Sequence, residues 1–202
     1  MEKKVMIVGA GLMGSGIAQA FALAGVPVIL TDRSEEDLNK GKNFIDKSIQ
    51  SMLKRERYTI KDEQRINASI QYSTNISDGK DVELVIEAVP ERLELKQHVF
   101  KQLDEIVQPN AILASNTSSL SIAAIGSVTS RPDKVIGMHF FSPVPIMKLL
   151  EIITSIESSE ETLNRVKEFG RFINKETVIA QDYPGFIVNR ILLPMMNEAA
   201  FL

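Results

Sequence analysis

The chain contains no cysteine, which excludes disulfides and thiolate metal centres. Histidine is scarce too. His98 and His139 are the only two, too few for a histidine-rich metal centre. Nowhere do about 20 apolar residues follow one another, the length a membrane-spanning helix needs. The first residues lead directly into an apolar strand, without the hydrophobic region of a secretory signal. No internal repeat and no low-complexity segment is visible. The net charge of −3 gives no reason to expect nucleic-acid binding. Together these absences point to a cytoplasmic protein with no metal, no membrane and no nucleic-acid partner. What is present is ordinary for a globular protein: 44% hydrophobic and 24% charged residues. A length of 202 residues suffices for one domain and a piece of another.

The most informative stretch is Val5 to Gly16. Val5-Met6-Ile7-Val8 reads as a buried strand and is followed by Gly9, Gly11 and Gly14 in the spacing G-x-G-x-x-G. In such a loop the first glycine allows the tight turn, the second lets a pyrophosphate reach the backbone, and the third lets the helix pack on the sheet. Leu12 and Met13 lie inside the loop, where a helix start offers free N–H groups to phosphate. A long apolar helix and a second apolar strand, Val26 to Leu30, follow and end at Asp32. That acid stands 18 positions after Gly14, where the motif places the carboxylate that binds the ribose hydroxyls. Asp32 would repel a 2′-phosphate, so the expected cofactor is NAD rather than NADP, with Arg33 next door keeping NADP as the alternative.

Ser34-Glu35-Glu36-Asp37 has the chemistry of a helix start, and the helix is expected to reach about Arg57. Lys40, Lys47 and Lys54 recur every seven residues along it. They form either a solvated face or a patch for a ligand with several phosphates. A further buried strand, Val82 to Ala88, leads into Glu91 and Lys96. Ligands of open parallel sheets sit beyond the carboxyl ends of strands, so both are candidates for the cofactor edge. His98 in the next helix has no obvious polar partner and reads as structural. Ser115-Asn116-Thr117-Ser118-Ser119 follows the strand Ala111 to Ala114 and suits a polar lining for a substrate oxygen.

Val135 to Phe141 is apolar apart from His139, and Leu149 to Thr154 is largely apolar apart from Glu151. A carboxylate in an apolar strand requires a partner. His139 and Glu151 on adjacent strands would pair, the acid fixing the imidazole tautomer as a general base requires. The connection between these strands is too short for a crossover helix, so one of them is expected to run antiparallel. The rest alternates strand and helix, implying an α/β fold with a doubly wound, mostly parallel sheet. Gln181 to Gly185 reads as a domain boundary, and the helix from Phe186 onward is apolar enough to need burial.

Taken together, GAGLMGSGIA, EAVPERLELK, SNTSSL, HFFSPVPIMKLLEI and DYPGFIVNRILLP resemble the 3-hydroxyacyl-CoA dehydrogenases. The resemblance implies a Rossmann-type domain over 1–183 and, over 184–202, the first helix of an otherwise missing all-helical domain. It implies NAD contacts from the loop Gly9 to Gly14, Asp32, Glu91, Lys96 and Asn116. His139 and Glu151 become the catalytic pair, while Ser118 and Asn189 hold substrate oxygens. Ser48, Lys54 and Arg55 become contacts for coenzyme A. The implied reaction is NAD-dependent interconversion of 3-hydroxyacyl-CoA and 3-oxoacyl-CoA. A homodimer is the assembly expected of the family. A chain ending in its second domain could instead be an NAD- and CoA-binding module with little turnover.

Overall fold

The computed structural model describes residues 3–201. One eight-stranded sheet runs through it, in the order β3-β2-β1-β4-β5-β6-β7-β8. The strands are β1 (Val5–Val8), β2 (Val28–Thr31), β3 (Ile70–Ser73), β4 (Leu84–Glu87), β5 (Ile112–Ser115), β6 (Val135–Phe140), β7 (Leu149–Thr154) and β8 (Glu176–Gln181). The helices are α1 (Leu12–Leu23), α2 (Glu35–Lys54), α3 (Ile60–Ser69), α4 (Leu93–Ile106), α5 (Ile122–Gly126), α6 (Glu160–Phe172) and α7 (Val188–Ala199).

The central strands β1, β2, β4, β5 and β6 are buried at every position because helices cover both faces, and most of their residues are apolar. Val5 and Ile7 of β1 face one layer, packed with Ile17 and Phe21 of α1, Ile45 of α2, and Val166 and Phe169 of α6. Met6 and Val8 face the other layer, packed with Val99, Phe100 and Leu103 of α4 and Ile125 of α5. Each cluster is contiguous across the sheet, which holds the carboxyl ends of β1, β4, β5 and β6 along one edge.

Every pairing is parallel except β6 with β7, the reversal expected from their short connection. Polar caps set the helix starts. Ser34 accepts from the N–H of Asp37 at the head of α2, and Thr59 forms a reciprocal capping box with Asp62 on α3. Two elements differ from the sequence expectation. α5 has only five residues, too few to show a helical period. α7 buries none of its residues, and Ile191, Leu193, Met195 and Met196 stand exposed on it. No helix among the described residues is long and apolar enough to cross a membrane.

Candidate active site

The glycines after β1 are there for different reasons. Gly9 has φ +107°, and a Cβ there would meet the carbonyl oxygen of Ala88 at 2.7 Å. A Cβ on Gly14 would collide with the carbonyl of Gly9. At Gly11 a Cβ would meet no protein atom within 4 Å. Packing therefore does not demand glycine at position 11. It faces an open cleft of about 770 Å³ that is lined by Gly9 to Met13 and by Asp32, Ala88 and Val89. No side chain caps the start of α1, which leaves its first N–H groups aimed at that space. Asp32 accepts from the N–H of Ala10 at 2.6 Å and from its neighbour Arg33 at 2.7 Å. These bonds fix the carboxylate while leaving each oxygen a free lone pair for a ribose hydroxyl. The open space at Gly11, the uncapped helix and the held acid fit a dinucleotide.

Three strands along the same edge, the register of β6 on β7 sets His139 opposite Glu151. Nδ1 of His139 lies 2.6 Å from Oε2 of Glu151, which is fully buried. The other oxygen, Oε1, accepts from the N–H of Ile187 at 3.1 Å and of Val188 at 2.8 Å, where α7 begins. Glu151 thus joins two elements, one oxygen on the imidazole and one on the helix start. The His139 ring packs against Phe141, with centroids 4.5 Å apart, and edge-on against Phe186 at 5.8 Å. A carboxylate beside Nδ1 favours the tautomer with its proton there, so Nε2 carries the lone pair.

The polar run after β5 is stitched to the rest by Glu91. Its Oε1 accepts from the Thr117 hydroxyl and from the N–H groups of Ser118 at 2.8 Å and Ser119 at 3.2 Å. Burial works to raise the Glu91 carboxyl, but the bonds from Thr117 and Ser118 outweigh it and hold the group below the usual range. Asn116 accepts from the N–H of Phe140 at 3.0 Å, tying the run to the strand that bears His139. The Ser118 carbonyl accepts from the Asn189 side-chain amide at 3.2 Å. Its hydroxyl makes no hydrogen bond among the described residues, which leaves it available to a ligand. Ser118 is thus bonded to Asn189 and His139 to Glu151, and the two pairs are held near each other by the bonds to the neighbouring residues Phe140 and Val188.

Lys96 behaves differently from an open cofactor contact. It is 1% exposed, and its ammonium meets Oε1 of Glu87 at 2.7 Å, the Val89 carbonyl at 3.2 Å and Oε2 of Glu91 at 3.3 Å. Burial pushes the Glu87 carboxyl up, and Lys96 holds it back. Glu87 also accepts from the Ser115 hydroxyl at 2.6 Å. The sequence reading passed over Glu87 as a site residue, although it is an acid closing an apolar strand, the same signal that marked Glu151. Asp182, also overlooked, accepts from the N–H groups of Ile122 at 2.9 Å and Ala123 at 2.8 Å and so anchors α5. Ser48 is half-buried on α2, with Lys54 and Arg55 exposed near the end of that helix. None of the three lines the large cleft. The lysine stripe divides: Lys40 reaches Glu36 at 2.8 Å and Asp37 at 3.3 Å, whereas Lys47 and Lys54 make no ion pair among the described residues.

Residues 4–183 match the family described as 3-hydroxyacyl-CoA dehydrogenase, NAD binding domain. The chain belongs to the 3-hydroxyacyl-CoA dehydrogenase family. It is 45% identical to the 3-hydroxybutyryl-CoA dehydrogenase of Clostridioides difficile over 97% of this chain and 70% of that protein. The mitochondrial hydroxyacyl-coenzyme A dehydrogenase of Sus scrofa is 40% identical over 100% of this chain and 66% of its own length. Among solved structures, the (S)-3-hydroxybutyryl-CoA dehydrogenase of Ralstonia eutropha superposes with a TM-score of 0.95 at 44% identity, covering 98% of this chain and 70% of that one. The glycine cleft and Asp32 thus lie within the matched NAD-binding part of a 3-hydroxyacyl-CoA dehydrogenase, as do His139 and Glu151.

Proposed function

We propose that this chain carries out the NAD-dependent interconversion of a 3-hydroxyacyl-CoA and a 3-oxoacyl-CoA, with His139 as the acid–base group. NAD, when bound, supplies the hydride acceptor at its nicotinamide. Nε2 of His139 accepts the proton of the 3-hydroxyl as the hydride leaves carbon 3. In reverse, Nε2 returns that proton to the 3-oxo group. Glu151 keeps Nδ1 protonated and stabilises the imidazolium. Ser118 and the Asn189 amide orient the substrate oxygens, and Phe141 and Phe186 shield the imidazole from water. The Gly9 to Gly14 loop, with Leu12 and Met13, receives the pyrophosphate, while Asp32 receives the ribose. Glu91 and Asn116 shape the nicotinamide end of the cleft. Lys96 acts there through Glu87 and Glu91. Ser48, Lys54 and Arg55 are proposed for the phosphates of coenzyme A, on the strength of their place on and just after α2 near Lys47, which like Lys54 makes no ion pair among the described residues.

The observation that carries the reading is the 2.6 Å contact between a fully buried carboxylate and a histidine on the strand edge shared with the glycine loop. We further infer a nucleotide-binding domain over 1–183, a second domain beginning with 184–202, a cytoplasmic setting and a homodimer. The apolar side chains exposed on α7 support a protein partner for that helix. The test is oxidation of NADH by this chain with acetoacetyl-CoA. Turnover that vanishes in His139→Gln while NADH still binds supports the assignment. Wild-type turnover in that variant overturns it.

A further inference from the structure

The ribose end of the cleft holds more charge than Asp32 accounts for. Arg33, Asp37 and Lys40 line the same end. Nε of Arg33 donates to Oδ2 of Asp37 at 3.0 Å, and Nζ of Lys40 reaches Oδ1 at 3.3 Å. The Ser34 hydroxyl donates to Oδ2 at 3.0 Å. Hydrogen bonds from Arg33, Ser34 and Lys40 hold the Asp37 carboxyl down to about 2, so it stays charged at any working pH. Its side chain is 24% exposed, against 87% for Arg33 and 58% for Lys40. The acid is thus the fixed member, and the two cations are long arms tied to it.

Surface pairs of this kind add little to stability. Their position says more. An arginine beside the ribose-binding acid is the group that accommodates a 2′-phosphate in NADP-binding versions of this motif. A guanidinium suits that role because its fork of donors matches phosphate oxygens. Here one of those donors, Nε, is already engaged by a carboxylate, which ties the guanidinium to α2. The charged residues lining this end are Asp32 and Asp37 against Arg33 and Lys40, so an incoming phosphate meets no net positive charge.

We propose that Asp37 is a specificity-determining residue for the cofactor: by engaging Arg33 and Lys40 it denies a 2′-phosphate its cationic partners and seconds the repulsion from Asp32. The proposal rests on the reading of this cleft as the adenosine end of the NAD site. It has a distinct consequence. Asp32 alone does not set the preference for NAD, and removing Asp37 frees a latent phosphate-binding pair.

The experiment titrates the full chain with 5′-AMP and with adenosine 2′,5′-bisphosphate by calorimetry, and with NADH and NADPH by cofactor fluorescence. The readout is the ratio of the phosphorylated to the unphosphorylated affinity. A loss of fold that weakens both ligands alike leaves that ratio unmoved. Asp37→Asn and Asp37→Ser are each expected to raise the ratio about tenfold, a change of about 1.4 kcal/mol. The gain shrinks as salt is raised, and it disappears when Arg33→Met and Lys40→Met are added. An unchanged ratio in both Asp37 variants overturns the proposal, as does a gain that survives loss of both cations. Equal affinity of the wild type for NADH and NADPH overturns it too. If the wild-type chain binds neither 5′-AMP nor NADH, the reading of the cleft itself fails and takes the proposal with it.

Discussion

The nucleotide cleft and the His139 site lie on one sheet edge, yet they are built in opposite ways. In the cleft, groups are left open. Gly11 faces empty space, the first N–H groups of α1 have no side-chain cap, and Asp32 retains lone pairs. Around His139 almost everything is engaged. Both oxygens of Glu151 are used, Asn116 holds the backbone next to His139, and no buried side-chain polar atom among the described residues lacks a partner. The difference reflects the tasks. A cofactor supplies its own hydrogen-bond partners on arrival, so its seat must wait for them. A base must hold one tautomer before substrate arrives, so its surroundings must be complete in advance.

The strongest way to break this comparison is at the base. His139→Gln is expected to lower turnover by about 10²–10⁴-fold, with the NADH dissociation constant unmoved. A fall in NADH affinity of the same size would merge the two regions into one. Next in size is Lys96→Met, which strands the Glu87 carboxylate in the interior. Breaking a buried pair from one side costs about 3–5 kcal/mol, to be read from urea unfolding. Adding Glu87→Gln should return part of that loss, since the uncompensated charge is then gone.

Glu151→Gln comes third, with turnover down on the order of 10²-fold, the low end of a positioned acid–base contribution. If the Gln oxygen keeps the N–H groups of α7, its amide must donate to Nδ1 and push the proton to Nε2. The melting temperature then changes little. Glu151→Ala leaves the α7 donors unpaired and costs about 1–3 kcal/mol more, so thermal unfolding separates the two roles. In the cleft, Gly11→Ala is expected to weaken NADH binding about tenfold, or about 1.4 kcal/mol, without shifting the melting point. Gly14→Ala, by contrast, must destabilise the fold, because its Cβ meets backbone.

The last effect concerns Lys175 and shows only as a change with pH. Its ammonium donates to the carbonyls of Val144 and Met147, and burial lowers its pKa from 10.5 to about 8. Between these values the folded chain binds fewer protons than the unfolded one, so this lysine adds stability as pH rises through that window. A neutral amine still has two N–H donors for the two carbonyls. The stability of wild type relative to Lys175→Met should therefore increase from pH 8 to 10.5. A flat difference across that range would remove the buried lysine from the account.

How far each region could be read from sequence follows the same division. The cleft is local in the chain. A glycine spacing and one acid after the next strand carry it, and both signals survive without a structure. His139 and Glu151 were legible because each stands almost alone among apolar neighbours, and a short connection made their strands adjacent. Glu87 had the same signature but sits at the strand end, where an acid also reads as the start of a loop. The donors from Ile187 and Val188 could not be seen at all, since a backbone N–H is common to nearly every residue. Helix α5 was too short to show a period, and the burial of Lys96 depended on an acid nine positions away whose own role was hidden.

The hold of Oε1 of Glu151 on the amides at 187 and 188 bears on modularity. A Rossmann sheet looks like a portable cassette, to be joined to any catalytic partner after β8. Here the peptide that follows, turning through two left-handed residues at Gly185 and Phe186, supplies half of what anchors the acid. A chimera recombined at residue 183 keeps both oxygens of Glu151 occupied only if the incoming segment repeats that turn and presents two N–H groups to Oε1. A crossover beyond Asn189 carries the base's support along with the sheet.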